Sequence, residues 1–187
     1  MRGQVVLGLD LSYSGLGMCA VPTDWDCELS RVRAETRALR LPRNPTTREQ
    51  LQRLASLALD VRVFAVRVGA SHVWIEGLPV KGGSKVNGRS LIILGELRAA
   101  VRLELLRELG LCAELAEQSS ARKLLLGHLP TADRKLIVEQ TVRSMPGSAV
   151  FEDGDQIDAF VAANWGLSEL GAPCIALLPP GKKRSAA

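Results

Sequence analysis

The run Gln4–Asp10 (QVVLGLD) is apolar at every position between its polar ends. A strand that is apolar on both faces has to be covered on both, which makes it a central strand of a sheet. It ends in a carboxylate, Asp10, and an unpaired charge at the tip of a buried element is costly to desolvate. Two further segments repeat the arrangement. Trp74-Ile75-Glu76-Gly77 closes another apolar run, and Asp155-Gln156-Ile157-Asp158-Ala159 opens an apolar helix. Three such sites in one small domain imply that the carboxylates meet. Carboxylates that meet repel one another unless a divalent cation holds them together. The pattern points to a metal-dependent site, one suited to phosphate chemistry.

Each acid also has a plainer reading. Asp10 can cap the turn that follows its strand through the amides of Ser12 or Tyr13. Glu76 can be a surface residue at a strand end. Asp155 can be the N-cap of its helix, with Asp158 favouring the positive helix end. Glu152 and Asp153 would serve that end equally well, which leaves the cluster over-supplied for capping. Asp155 and Asp158, three positions apart, share one helix face.

The remaining pattern sets these residues in an α/β frame. Ser12–Gly17 reads as a tight turn and Met18–Val21 as a returning strand, making a hairpin. Leu29–Leu41 alternates arginine with smaller residues, a period of two that predicts a third, half-exposed strand. Thr46 or Thr47 caps a helix with Glu49 in its first turn. Leu51, Leu54, Leu57, Val61 and Val68 continue it at helical spacing until Gly69. His72–Glu76 is the next strand, and Pro79–Arg89 is a glycine- and lysine-rich loop. Ser90–Leu109 is an amphipathic helix stopped by Gly110, and Leu111–Leu115 a short strand. A short helix capped by Ser119 or Ser120 runs to Gly127. Thr131–Ser144 is helical with Thr131 as cap, and Glu152–Leu170 is the last helix. Pro173–Leu178 is a final strand or an apolar tail. The order predicts a mixed sheet, an antiparallel meander followed by parallel strands with crossover helices. One domain is expected over residues 1–180, with a basic flexible tail at 181–187.

The 187 residues are enough for one domain with a sizeable core, and 47% apolar with 24% charged residues is ordinary for a soluble protein. No long apolar run escapes interruption by charge, so no membrane span is expected. Met1-Arg2 leads straight into strand-like sequence without a signal peptide, which makes the cytoplasm the expected compartment. The four cysteines form no CxxC pair and have no neighbouring histidine, which excludes a zinc knuckle. Cys19, Cys112 and Cys174 read as small core residues. Net charge is +4, mildly basic and compatible with a polyanionic partner.

Four features in this order resemble the RuvC family of Holliday-junction resolvases. They are the N-terminal GLDLS…G hairpin, the IEG strand end at Glu76, the segment SSARKLLLG leading to Ala132-Asp133-Arg134-Lys135, and the DQIDAFVAA helix. The likeness spans about Val5 to Trp165. It implies a ribonuclease H-like fold: a mixed five-stranded sheet flanked by helices. It also implies a crossover junction endodeoxyribonuclease whose catalytic and metal-binding acids are Asp10, Glu76, Asp155 and Asp158. Two Mg²⁺ ions per active site, with Mn²⁺ as a substitute, would support in-line phosphodiester hydrolysis. The implied partners are branched DNA in the form of a four-way junction and a second copy of the chain, since paired symmetric nicks need two active sites. A branch-migration motor is left open as a partner but is not indicated. The Asp10-Leu11-Ser12 form looks more like phage-borne members than like those of cellular bacteria, which usually carry Pro-Gly after the first acid. The expected setting is therefore a bacterial or phage-infected cytoplasm. Members often place an aromatic wedge just past the second acid; here that stretch is Leu78-Pro79-Val80.

Basic residues flank the acids: Lys81, Lys85 and Arg89 in the loop, Arg122 and Lys123 on the short helix, Arg134 and Lys135 on the next. As a set they are expected to contact DNA phosphates without reading bases. The apolar stretch Leu91–Leu94, continuing through Leu97 and Val101, is either the dimer interface or core. Three other functions fit parts of the pattern. A phage-type debranching endonuclease would cut forks and flaps as well as junctions. A non-catalytic branched-DNA-binding module would keep the fold alone. An actin-like sugar kinase or ATPase would also begin with an Asp-bearing strand and glycine turn, but this chain is short for two lobes and shows no second phosphate loop.

Overall fold

The computed structural model describes residues 3–12, 15–38, 45–77, 88–127 and 134–176. The expected hairpin is β1 (Val5–Leu11) and β2 (Gly15–Pro22), paired antiparallel with Asp10 opposite Gly17. A 3₁₀ turn at Leu29–Arg31 precedes β3 (Arg33–Ala38). The third strand therefore starts four residues later than its arginine alternation predicts, and 39–41 lie outside the described residues. Leu29 is drawn into the core, and Arg31 turns back to the Asp24 carboxylate and carbonyl, so the chain bends before it pairs. Helix α1 (Thr47–Val68) begins at a capping box between Thr46 and Glu49 and stops at Gly69, whose φ of 68° is the left-handed cap conformation. Strand β4 (His72–Glu76) follows, then helix α2 (Gly88–Leu109) and strand β5 (Ala113–Ala116). β5 starts two residues late because Gly110 and Leu111 are spent closing the end of α2, their amides returning to Leu106 and Leu105.

Helices α3 (Gln118–Leu126), α4 (Arg134–Ser144) and α5 (Gly154–Glu169) complete the described chain. Ser119 and Ser120 do not cap α3, as had been expected. They lie inside its first turn and donate their hydroxyls to Glu117, which precedes the helix. Thr131, the expected cap of α4, lies outside the described residues, as do Tyr13, His128 and Asp133.

The sheet order is β3-β2-β1-β4-β5, antiparallel across the first three strands and parallel across the last three. This is the mixed five-stranded sheet expected of a ribonuclease H-like fold. Alternation along β1 sends Leu7, Leu9 and Leu11 to the face covered by α1 and α2. Val6, Gly8 and Asp10 face α5. On α2, Ile93, Leu97 and Val101 are buried against that first face, so this part of the apolar stretch is core. Ile92, Leu103 and Leu106 point outward. Cys19 is buried as expected, but Cys112 is exposed, because it sits in the bend before β5, and Cys174 is only half-buried. After α5 the chain forms a strap rather than a strand. Asn164 holds Ile175 by exchanging two hydrogen bonds with its backbone, and Trp25 donates its indole N–H to the Pro173 carbonyl at 2.6 Å. Among the described residues no helix is long and apolar enough to cross a membrane.

Candidate active site

α5 lies against the sheet more closely than side chains would permit. A Cβ at Gly8 would stand 2.0 Å from the Ala159 carbonyl oxygen, and one at Gly17 would stand 2.1 Å from that of Asp155. Glycine at these two strand positions lets the helix backbone touch the strands. The helix start is fixed from the side. Asp153, not Asp155, is the N-cap: its Oδ1 accepts from the Gln156 amide, and its Oδ2 accepts from Thr36 Oγ1 on β3 at 2.6 Å. Asp155 is thereby left free of capping duty.

The register then gathers the acids. Thr36, Gly17 and Asp10 lie side by side across three strands. The last parallel pair of β1 and β4 is Leu9 with Ile75, so Asp10 and Glu76 are the next residues along neighbouring central strands. Both face α5, which brings Asp158, only 3% exposed, and Asp155 down onto them. Asp10 does not cap the turn through Ser12: the Ser12 amide donates to the Gly15 carbonyl, and the Ser12 hydroxyl accepts from the Gly15 amide.

Electrostatics confirm that these carboxyls crowd one another. Burial, then the charge of Glu76 and a hydrogen bond to it, then Asp158 and Asp155, push Asp10 from 3.8 to about 9. Asp155 is raised by burial and by Asp153, with Lys135 opposing and Asp158 adding to the rise. Among the described residues, Arg122 and Lys135 form ion pairs with these carboxylates. Arg122 Nη2 donates to Glu76 Oε1 at 3.3 Å and to Asp158 Oδ1 at 3.2 Å. Lys135 Nζ lies 2.6 Å from Asp158 Oδ2. Burial alone would lower the Lys135 ammonium, but the hydrogen bond and charge of Asp158, with Asp10 and Glu76 behind it, hold it above its ordinary value.

Two further residues reach Glu76. Gln118 Nε2 donates to Oε1 at 2.5 Å, and Arg98 of α2 donates to the Glu76 carbonyl. Sequence reasoning missed both. Arg98 had a signal, a lone charge on the helix face of Leu94, Val101 and Leu105; Gln118 had none. Of the expected DNA-contacting residues, Arg122 and Lys135 turn into the acid cluster, and Lys123 is exposed on α3. Arg89 lies in the first turn of α2 and Arg134 opens α4, while Lys81 and Lys85 lie outside the described residues.

The donor set is all carboxylate oxygen, the chemistry of a hard divalent cation. Burial and the neighbouring carboxylates raise the Asp10 carboxyl, and a divalent ion would relieve the crowded negative charge. Among the described residues, however, no three acids, histidines or cysteines stand in a metal-holding arrangement. Arg122 and Lys135 pair with the oxygens an ion would use. The donors fit a divalent ion, and their present spacing is set by protein cations.

The fold agrees with solved structures. RuvC of Thermus thermophilus matches with a TM-score of 0.65 at 17% identity, over 90% of this chain and 98% of that one. The same protein in complex with Holliday junction substrate matches over 90% and 96%, with the same score and identity. The chain has the RuvC fold. The yeast mitochondrial Holliday junction resolvase matches at 0.58 and 12% identity, over 89% of this chain and 78% of that one. No family model matches the chain, and no curated protein matches it in sequence. In the RuvC fold as this chain builds it, the acids of two central strands and the covering helix meet at one end of the sheet.

Proposed function

We propose that this chain is a divalent-metal-dependent endonuclease that resolves four-way DNA junctions by paired symmetric nicks. One observation carries the reading: Asp10 and Glu76 end adjacent central strands directly beneath Asp155 and Asp158 of α5, in a chain with the RuvC fold. The strand ends hold two carboxylates rigidly, and the glycine-seated helix holds the other two. Arg122 and Gln118 orient Glu76, and Arg98 fixes the backbone that carries it. Mg²⁺, two per site with Mn²⁺ as substitute, would supply Lewis-acid stabilisation of charge at the phosphodiester and a more acidic water. Asp10, Glu76, Asp155 and Asp158 are the residues that would hold it. Hydrolysis breaks the bond between phosphorus and the 3′-oxygen. Lys123, Arg134 and Lys135, with Arg89 in the first turn of α2 and Lys81 and Lys85 of the sequence before it, are the cations that would hold backbone phosphates.

The deciding experiment is cleavage of end-labelled four-way junction, fork and linear duplex in Mg²⁺, with Asp10→Asn alongside. Symmetric paired nicks in the junction, lost in Asp10→Asn while junction binding persists, are the expected result. Substantial cleavage by Asp10→Asn would overturn the assignment. The absence of an aromatic residue in Leu78-Pro79-Val80 favours a second reading, a less selective debranching enzyme, for which forks and flaps would be cut as well. Junction binding without cleavage of any substrate would leave a non-catalytic branched-DNA-binding module.

A further inference from the structure

We propose that Lys135 guards the acid cluster, competing with a divalent cation for Asp158 while the protein is free and leaving it for a phosphate when DNA arrives. The inference rests on the nuclease reading above and concerns how that site is loaded.

Arg122 and Lys135 are not equivalent. Arg122 is 12% exposed and is wedged between Glu76 and Asp158, each of which it touches. Lys135 is 58% exposed and, among the described residues, ion-pairs with Asp158. Asp158 itself is fixed in the buried body of α5, at 4% side-chain exposure, so only the lysine end of this pair can move. Its long flexible stem begins in the exposed first turn of α4, which Arg134 opens. A phosphate drawn to this surface offers Lys135 another partner of the same charge as Asp158.

The exchange follows from charge. Asp158 Oδ1 is taken by Arg122 and Oδ2 by Lys135, so both oxygens are occupied by the protein. An incoming cation meets a like charge 2.6 Å from the oxygen it needs. Once Lys135 leaves, that oxygen faces Asp155 and Asp10 with one positive charge fewer, and a divalent ion restores two. Anything that binds Lys135 therefore favours metal, and metal favours release of Lys135, because a coupling between two ligands is reciprocal.

The test reads metal and DNA affinity rather than activity. Mn²⁺ binding to the DNA-free full chain is followed by the electron paramagnetic resonance of the free ion, for wild type, Lys135→Gln, Lys135→Arg and Asp158→Asn. Melting curves in chelator check that each is folded. Lys135→Gln is expected to bind Mn²⁺ about tenfold more tightly than wild type, and Lys135→Arg to stay near wild type. In chelator, Lys135→Gln should bind a four-way junction up to about fivefold more weakly, the worth of one exposed ion pair. Equal or weaker Mn²⁺ binding by Lys135→Gln, with binding lost in Asp158→Asn, overturns the guard and leaves the nuclease reading intact. Equal tightening in Lys135→Arg also overturns it, since charge would then not be the cause. Unchanged junction affinity overturns the DNA half. No Mn²⁺ binding by wild type overturns both the guard and the metal-dependent reading.

Discussion

Asp10 holds a proton that an ordinary aspartate would have lost, and the protein's response to pH follows from it. Its carboxyl rises from 3.8 in the unfolded chain to about 9 in the metal-free fold, chiefly through burial and then through Glu76. Between those values the folded state binds a proton that the unfolded chain does not. The stability owed to this group is therefore greatest at the acid end of the window, falls as pH rises through it, and levels off above about 9. In metal-free buffer at pH 8, Asp10→Asn should melt higher than wild type and show a flatter dependence of Tm on pH. A gain of about 2–4 °C per kcal/mol released is expected for a chain of this length. Mg²⁺ should raise the wild-type Tm and leave that of Asp10→Asn nearly unmoved. A scanning fluorimetry series from pH 5 to about 9 checks both, and parallel profiles for the two proteins would count against the crowding of Asp10. That Asp10 meets other carboxylates was legible at this scale, because a charged strand tip on a two-sided apolar strand has few bland uses. Of the two amides it could have capped, that of Ser12 donates to Gly15 instead, and Tyr13 lies outside the described residues.

At the scale of elements, the site depends on how α5 is seated. Helix and strands touch backbone to backbone at Gly8 and Gly17, and Thr36 ties Asp153 at the helix start to the edge strand β3. Gly17→Ala puts a methyl group where the Asp155 carbonyl now lies, and a backbone cannot step aside as a side chain can. The substitution should cost about 1–3 kcal/mol in urea unfolding. It should also reduce cleavage far more than junction binding, since it displaces the segment that carries Asp155 and Asp158. Wild-type stability in Gly17→Ala would mean that the helix is not held this closely. The boundaries of α1 and β4 could be read from the sequence, because a capping box, a left-handed glycine and an apolar run are local signals. Those of β3, β5 and α3 could not. Leu29 is pulled into the core, Leu111 finishes a helix, and Glu117 collects two serines, each a contact the local pattern does not encode.

For the whole molecule, the proposed paired incision would require two sites, which two copies of the chain would supply. The outward apolar residues of α2, Ile92 at 64% and Leu103 at 59% exposure with Leu106 beside them, are the surface expected to pair two copies. Leu103→Glu combined with Leu106→Glu should shift the protein from dimer to monomer by light scattering. It should also turn paired nicks into single, unpaired ones while each site stays intact. A dimer that survives both substitutions would place the interface elsewhere. The convergence of Asp10, Glu76, Asp155 and Asp158 and the order of strands and helices could be read from the chain alone, since apolar runs, turns and charged tips are written in local spacing. Only the tertiary structure decided that Asp153 rather than Asp155 caps α5, that Arg98 and Gln118 serve Glu76, and that Arg122 and Lys135 turn inward to the carboxylates. Those outcomes depend on which charges a fold brings within a few ångströms of one another, and residues distant in sequence carry no local mark of that proximity.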